Sequence, residues 1–249
     1  MFGSLWHDTR LMNIMALVFS ALALIFFVVA SLTWVAHRPV FTLTHIELDG
    51  QFQHVNKVAV REHALRSFSG NFFTMNLENT RRAFESVPWV RSASVRRVWP
   101  NGLRVNLIEH EVLAYWGDSK LVSRHGDVFV VNLAEAESQR GEKLPLLMGP
   151  VGSERLVVEQ FYRLNRQLKT AGFQLGELRL SDRFAWTAVI DNGLKLKLEL
   201  GIDRPEHSSS TQVDLFLRSY PIVMAQMMKK LTVFDLRYPS GFALAGVSR

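Results

Sequence analysis

Apolar and polar residues follow three patterns along this chain, and the first has no polar positions at all. From Leu11 to Ala36 the run LMNIMALVFSALALIFFVVASLTWVA carries no charge. As a helix its roughly 26 residues reach about 39 Å, beyond the ~30 Å of a bilayer core. It lacks the polar face of a surface helix, and a helix satisfies its own backbone in lipid. Trp34 stands near one end and Trp6 before the other, where indoles favour the membrane interface. A cleaved signal peptide is the competing reading, with Ala30 and Ala36 as small residues before a cut. The run exceeds the roughly 7–15 residues of a secretory apolar region, which favours a retained anchor.

The second pattern mixes period-2 strands with short helices. Phe41 to Leu48 alternates and ends at Asp49-Gly50, a strand and turn. Asn56 opens a helix to about Ser67, with Val60, Ala64 and Phe68 on one face. A second helix starts near Asn76, turns Leu77, Phe84 and Val87 inward and stops before Pro88. Ala93–Trp99 and Leu103–Ile108 flank Pro100-Asn101-Gly102, a hairpin cue because Asn and Gly tolerate positive φ. Trp89 and Val90 are expected to plug the gap between helix and sheet, and Trp99 to anchor the hairpin end by burial. Arg96 and Arg97 point to opposite strand faces, so at least one meets water or a partner. The module reads β-α-α-β-β.

The third pattern begins at Val112. Short strands at Leu113–Trp116, Leu121–Ser123 and Val128–Val131 precede a polar loop, Glu135 to Lys143. Ser153 caps a helix whose stripe is Leu156, Val157, Phe161, Leu164 and Leu168, with Gly172 as its stop. Strands follow at Leu175–Leu180 and Trp186–Ile190. Asp191-Asn192-Gly193 then turns into Leu194–Leu200, where leucines alternate with charges. Ser208-Ser209-Ser210 reads as a linker before a helix with Val213, Phe216, Leu217 and Tyr220, which Pro221 ends or kinks. Leu231–Tyr238, a turn at Pro239-Ser240-Gly241, and Phe242–Ala245 close the chain.

Taken in order, these pieces resemble a known family. Ile46–Gly50, Asn71-Phe72-Phe73, Asn76-Leu77, Pro88-Trp89-Val90, Ala93–Val105 and Glu109 resemble the POTRA domain of the bacterial division family FtsQ/DivIB. Asp191-Asn192-Gly193, Tyr220-Pro221 and Phe234–Ala243 resemble its C-terminal half. Ile202, where relatives tend to carry a basic residue, and the polar stretch Glu206–Thr211 depart from the pattern. The resemblance implies an α+β protein: a single N-terminal transmembrane helix, a POTRA domain (β-α-α-β-β), then a β-rich C-terminal domain with mixed sheet and helices. The corresponding segments are a cytoplasmic tail at 1–10, the span at 11–36, POTRA at 41–110 and the C-terminal domain at 111–249. It further implies a division scaffold in the inner membrane, single-pass type II, with its large domain periplasmic and concentrated at the septum. FtsB would add a strand to the C-terminal sheet edge, accompanied by FtsL, with other divisome proteins and septal wall synthesis beyond. Carried over by motif, Tyr238, Ser240, Gly241, Phe242 and Ala243 lie at that contact, with Arg183 on a neighbouring strand facing an acidic partner residue. Core closure competes with contact for Tyr238 and Phe242, and turn geometry alone accounts for Gly241. Proline at Ala243 is expected to remove a backbone donor from the pairing edge. Arg96 and Arg97 are the POTRA candidates.

Composition changes this picture little. The net charge is +6, with Lys and Arg scattered rather than gathered in a run, which reads as a solvated basic surface and not a nucleic-acid site. The Lys/Arg count around the span barely decides its sidedness; a short amino end before one large domain suits a signal anchor. The absence of cysteine excludes disulfides and Cys-ligated metal centres. No compact His pair, phosphate loop or nucleophile elbow occurs, so no catalytic, cofactor-binding or metal residues are expected. Glu109 and Glu111 read as sharing one strand face, with His110 between them pointing the other way; two carboxylates so spaced suit flanking a bond or binding a cation, and a solvated face is the plainer explanation. The alternatives are a POTRA-bearing factor handling outer-membrane or secreted substrates and a tethered wall hydrolase.

Overall fold

The computed structural model describes residues 9–50, 60, 70–131, 144–191, 195–226, 230–238 and 241–247. The chain divides into two compact units, Met1–Glu109 and His110–Arg249. The expected helix from Asn56 to Ser67 lies outside the described residues apart from Val60, which is buried. The loop 135–143, Asn192-Gly193 and Pro239-Ser240 lie outside them as well.

The first unit opens with α1 (Thr9–Ala36), whose segment Met12–Ala36 holds an 18-residue stretch of mean hydropathy 2.7 with no residue buried within the protein. After a 3-10 turn at Pro39–Phe41 come β1 (His45–Asp49), α2 (Leu77–Glu85), β2 (Val90–Val98) and β3 (Gly102–Glu109). β3 is central, parallel to β1 and antiparallel to β2. Its alternation sorts the faces: Leu103, Val105 and Leu107 are buried, while Arg104, Asn106 and Ile108 are exposed. Asn76 caps α2 by accepting from the backbone N–H of Glu78 and Asn79, at 3.0 and 3.1 Å. Phe84 of α2, Trp89 and Val90 are buried, as the plug reading requires.

Two expectations about the hairpin fail. Trp99 is 68 % exposed rather than buried, because it stands in the loop beyond the last strand pair, Val98 with Gly102. Neither Asn101 nor Gly102 adopts positive φ. Glycine at 102 eases crowding instead: a Cβ there would lie a tight 3.2 Å from the Val98 carbonyl oxygen.

Among the described residues the second unit is one nine-stranded mixed sheet carrying two helices. Its elements are β4 (Val112–Trp116), β5 (Lys120–Ser123), β6 (Val128–Phe129), β7 (Leu146–Met148), α3 (Glu154–Thr170), β8 (Leu175–Leu180), β9 (Ala185–Ile190), β10 (Leu196–Ile202), α4 (Ser209–Gln226), β11 (Lys230–Asp235) and β12 (Ala243–Val247). The strand order is β12-β11-β10-β9-β8-β7-β4-β5-β6. β10 and β11 are parallel, as the crossover through α4 requires, and β12 returns antiparallel to β11. α3 and α4 lie side by side against the sheet. They bury Val157, Phe161, Leu164 and Leu168, and Val213 and Phe216, over Leu178, Ala188, Leu198 and Phe234.

Helix starts in this unit depart from the sequence reading. Ser153 precedes α3 but makes no cap; its hydroxyl donates to the Pro150 carbonyl at 2.6 Å. Ser208–Ser210 is no linker, because Ser209 begins α4 fully buried and gives both its N–H and its Oγ–H to Asp203 Oδ1, at 2.6 and 2.5 Å. Pro221 sits inside α4, which continues to Gln226.

Candidate functional site: the open edge of the large sheet

β12 ends the large sheet, and among the described residues nothing pairs with its outer side. The register shows which backbone groups face that side. Leu236 N–H donates to the Glu199 carbonyl on β10 at 2.8 Å, so Phe234 and Leu236 turn their backbone toward β10. Val233 and Asp235 therefore face β12, opposite Ala245 and Ala243. A second observation agrees: Thr232 Oγ1, at an irregularity of β11, donates to the Ala245 carbonyl at 3.2 Å. Ala243 and Ala245 thus spend their backbone groups on β11, and Leu244 and Gly246 present theirs to the open rim. Ala243, Ala245 and Gly246 are exposed and small, so another backbone can approach.

The surroundings of the rim are firm. Phe242 packs on Phe234 with ring centroids 4.6 Å apart, and Phe234 lies against Phe216 at 5.2 Å. On β11 and beyond it, Arg237 grips Asp235 with both arms, Nε to Oδ1 at 2.8 Å and Nη2 to Oδ2 at 2.6 Å. These hydrogen bonds hold the Asp235 carboxyl below its usual range against the opposing effect of burial, and Lys197 adds to the lowering. The same pairing raises Arg237. The Arg237 stem runs over Gly201, which has φ +79° and whose added Cβ would lie 3.3 Å from Cγ.

The residues proposed from sequence separate on this geometry. Tyr238 is 52 % exposed and so does not close the core, whereas Phe242 does. Gly241 does not need glycine for its turn, since it lacks positive φ and an added Cβ meets nothing within 4 Å. Ala243 opens β12, and Ser240 lies outside the described residues. Arg183 is exposed and stands in the turn between β8 and β9, not on a strand beside the edge. Ala185 pairs with Ile202, so this turn shares a sheet end with Tyr238, and three strand spacings, roughly 14 Å, separate it from β12. Leu244 and Gly246 were missed. Their role is a matter of strand parity, which the sequence carries only once the register with β11 is known.

In the first unit Arg97 gives Nη2–H to the Met75 carbonyl at 2.7 Å, bracing the segment that caps α2. Arg96 stands on the other face opposite Arg104, which pairs with Glu47 across β1 at 2.8 Å. Glu109 and Glu111 do not share a strand: β3 ends at Glu109, and Glu111 lies before β4, where Arg124 Nη1 reaches it at 3.3 Å.

The apolar first helix, the sheet with β3 central and the mixed-sheet second unit define a POTRA-bearing protein with a candidate membrane span. The family model described as POTRA domain, FtsQ-type, matches residues 41–110, and that for the FtsQ/DivIB C-terminal region matches 114–237. The chain is similar to the cell division protein FtsQ of Bordetella pertussis, 38 % identical over 97 % of this chain and 93 % of the relative. It is also similar to FtsQ of Burkholderia pseudomallei, at 37 % over 96 % and 94 %, and of Nitrosospira multiformis, at 34 % over 97 % and 99 %. The chain belongs to the FtsQ/DivIB family of cell-division proteins.

Proposed function

We propose that this chain is a non-catalytic scaffold of the division machinery, anchored in the inner membrane by α1 with both folded units on the periplasmic side. Its task is to capture an extended segment of FtsB, accompanied by FtsL, as an added strand on the outer side of β12, and so to hold early and late division proteins beside septal wall synthesis. The observation that carries this reading is the rim of β12, unpaired among the described residues, with the backbone groups of Leu244 and Gly246 facing outward. Main-chain hydrogen bonds supply affinity in such strand addition, and side chains at the flanks supply specificity. Arg183, at the same end of the sheet as Tyr238, offers a charge to an acidic residue of the added segment. Arg96 is the POTRA residue offered for contacts at mid-cell, while Arg97 is engaged with Met75.

Depletion of the protein should give filamentous cells without septa, and a normal septation pattern would refute the division role. In a pull-down with the FtsB ectodomain, Arg183→Glu should weaken capture without lowering the melting temperature. Unchanged capture would remove Arg183 from the contact.

A further inference from the structure

We propose that the end of the POTRA unit nearest α1 is an interfacial foot: an aromatic patch that rests in the headgroup region of the bilayer spanned by that helix. The inference adds a membrane contact to the anchored scaffold and rests on α1 being a span.

The patch is built from three separate stretches of chain. Phe41, just after the helix, meets Phe73 at 4.8 Å and Trp99 at 5.6 Å between ring centroids. Phe72 adds contacts to Phe73 at 5.3 Å and Trp99 at 5.8 Å. The cluster does not close over itself: Val40, Phe73 and Trp99 are 64, 46 and 68 % exposed. Such a contiguous apolar surface marks an interaction site, whereas single exposed apolar residues are ordinary.

Its occupant follows from what it is fastened to. Asn71 Nδ2 donates at 2.6 Å to the carbonyl of Ala36, the last residue of α1 and one of the acceptors a helix end leaves without an internal partner. Phe72 N–H donates to the Phe41 carbonyl at 2.9 Å, and Thr44 N–H to the Asn101 carbonyl at 3.1 Å, tying the segment after the helix to the hairpin loop that carries Trp99. Val40 follows Ala36 by four residues, so at most about 14 Å of chain separates them. Trp34 lies two residues inside the helix end, and the Arg38 guanidinium stacks 3.5 Å above its ring. An indole near the end of a span and a cation beyond it mark the depth of the lipid headgroups. The foot is braced to that same level, where aromatic rings are favoured over bulk water. The unit therefore stands on the membrane by a fixed end and does not swing on a loose tether.

The chain contains no cysteine, so single nitroxide labels can be added to the full-length protein reconstituted at low protein-to-lipid ratio in vesicles of mixed zwitterionic and anionic phospholipid. Labels at Leu24→Cys, Phe73→Cys and Ser86→Cys report the span, the foot and the far end of the unit. The far end is about 26 Å away along β2. The label at 73 should collide with a water-soluble relaxation agent several-fold less often than that at 86 and read headgroup depth. Adding Trp99→Glu should return it to aqueous accessibility. Equal accessibility at 73 and 86, with the label at 24 in the hydrocarbon, overturns the foot and leaves the anchor standing. A water-exposed label at 24 overturns the anchor itself. Shielding at 73 that grows with protein-to-lipid ratio assigns the patch to a second copy of the chain and overturns the lipid contact.

Discussion

Replacing Leu244 by proline should weaken partner capture while leaving the hairpin of β11 and β12 in place, whereas replacing Ala243 by proline should strike the hairpin itself. The difference is one of parity. The Leu244 N–H faces outward, so proline there deletes a donor that no strand uses among the described residues. The N–H of Ala243 faces Asp235 on β11, so proline at 243 strikes the protein's own ladder, contrary to what the sequence alone suggested.

The magnitude follows from the groups on offer. Leu244 and Gly246 present two N–H and two C=O groups to an added strand. Each hydrogen bond made there contributes about 0.5–1.5 kcal/mol net, and a partner carbonyl left without its donor costs about 1–3 kcal/mol where water is excluded. With the rim partly solvated, Leu244→Pro should lose about 1–2 kcal/mol, a roughly 5- to 30-fold rise in Kd. Gly246→Pro should match it, and Leu244→Ala, which keeps the N–H, should bind far more like the parent chain. Fluorescence anisotropy with a labelled FtsB ectodomain and the full-length chain in detergent gives Kd; circular dichroism of the same samples gives the melting temperature. The parity argument is refuted if Leu244→Pro binds as tightly as the parent, or if Ala243→Pro weakens binding more than Leu244→Pro with its melting temperature unchanged.

Other substitutions test the frame around the rim. Phe216→Ala removes a fully buried ring that touches Phe173, Tyr220 and Phe234, and should cost about 3–5 kcal/mol in a denaturant titration. Asn76→Ala deletes the acceptor for two backbone N–H groups of α2 and should cost about 0.5–2 kcal/mol by the same titration. Gly241→Ala should stay within about 0.5 kcal/mol, whereas Gly201→Ala, at φ +79° against the Arg237 stem, should be clearly destabilising in thermal melts. The Glu78 carboxyl, held by hydrogen bonds from Arg81 and Arg82, is lowered from 4.5 to about 2. Because the folded value lies below the unfolded one, its contribution is complete above about pH 4.5 and lost as pH falls through about 2. Carbon-detected NMR should place its midpoint there, and Arg81→Ala should move it up.

Much of the frame was legible in one sequence, and the misses share a cause. The charge-free run, the alternation of Leu103, Val105 and Leu107, and the leucines of β10 declare their elements because burial on one face imposes a period. The start of α2 near Asn76 was readable too, while the cap that Asn76 makes emerges only from the structure. The roles of Ser153 and Ser208–Ser210 were not readable, since whether a hydroxyl caps a helix, bonds back to Pro150 or reaches Asp203 depends on residues the local pattern does not name. Trp99 shows the limit most clearly. A large indole predicts burial by its type, but its position past the last strand pair, beside Phe41 and Phe72, puts it on the surface. Arg183 and Leu244 depend on strand order and register, which are properties of the assembled sheet.

The two ends of that sheet argue for a partner in their own way. An unpaired strand recruits neighbours indiscriminately, and proteins blunt such edges with charge, proline or brevity. The β6 end is blunted by brevity, with two residues, Val128-Phe129. The β12 end has none of these devices: Ala243-Leu244-Ala245-Gly246-Val247 is five residues long, uncharged and free of proline. Its charges stand aside, with Arg237 spent on Asp235 and Lys197 on Glu199. An edge left this open is a hazard to a protein that works alone and an asset to one whose edge is covered in use. Placing lysine at Ala243 and Ala245, both exposed, should then improve solubility of the isolated chain while lowering capture of the added strand. Solubility and capture that rise together would show that the bare edge is no docking site.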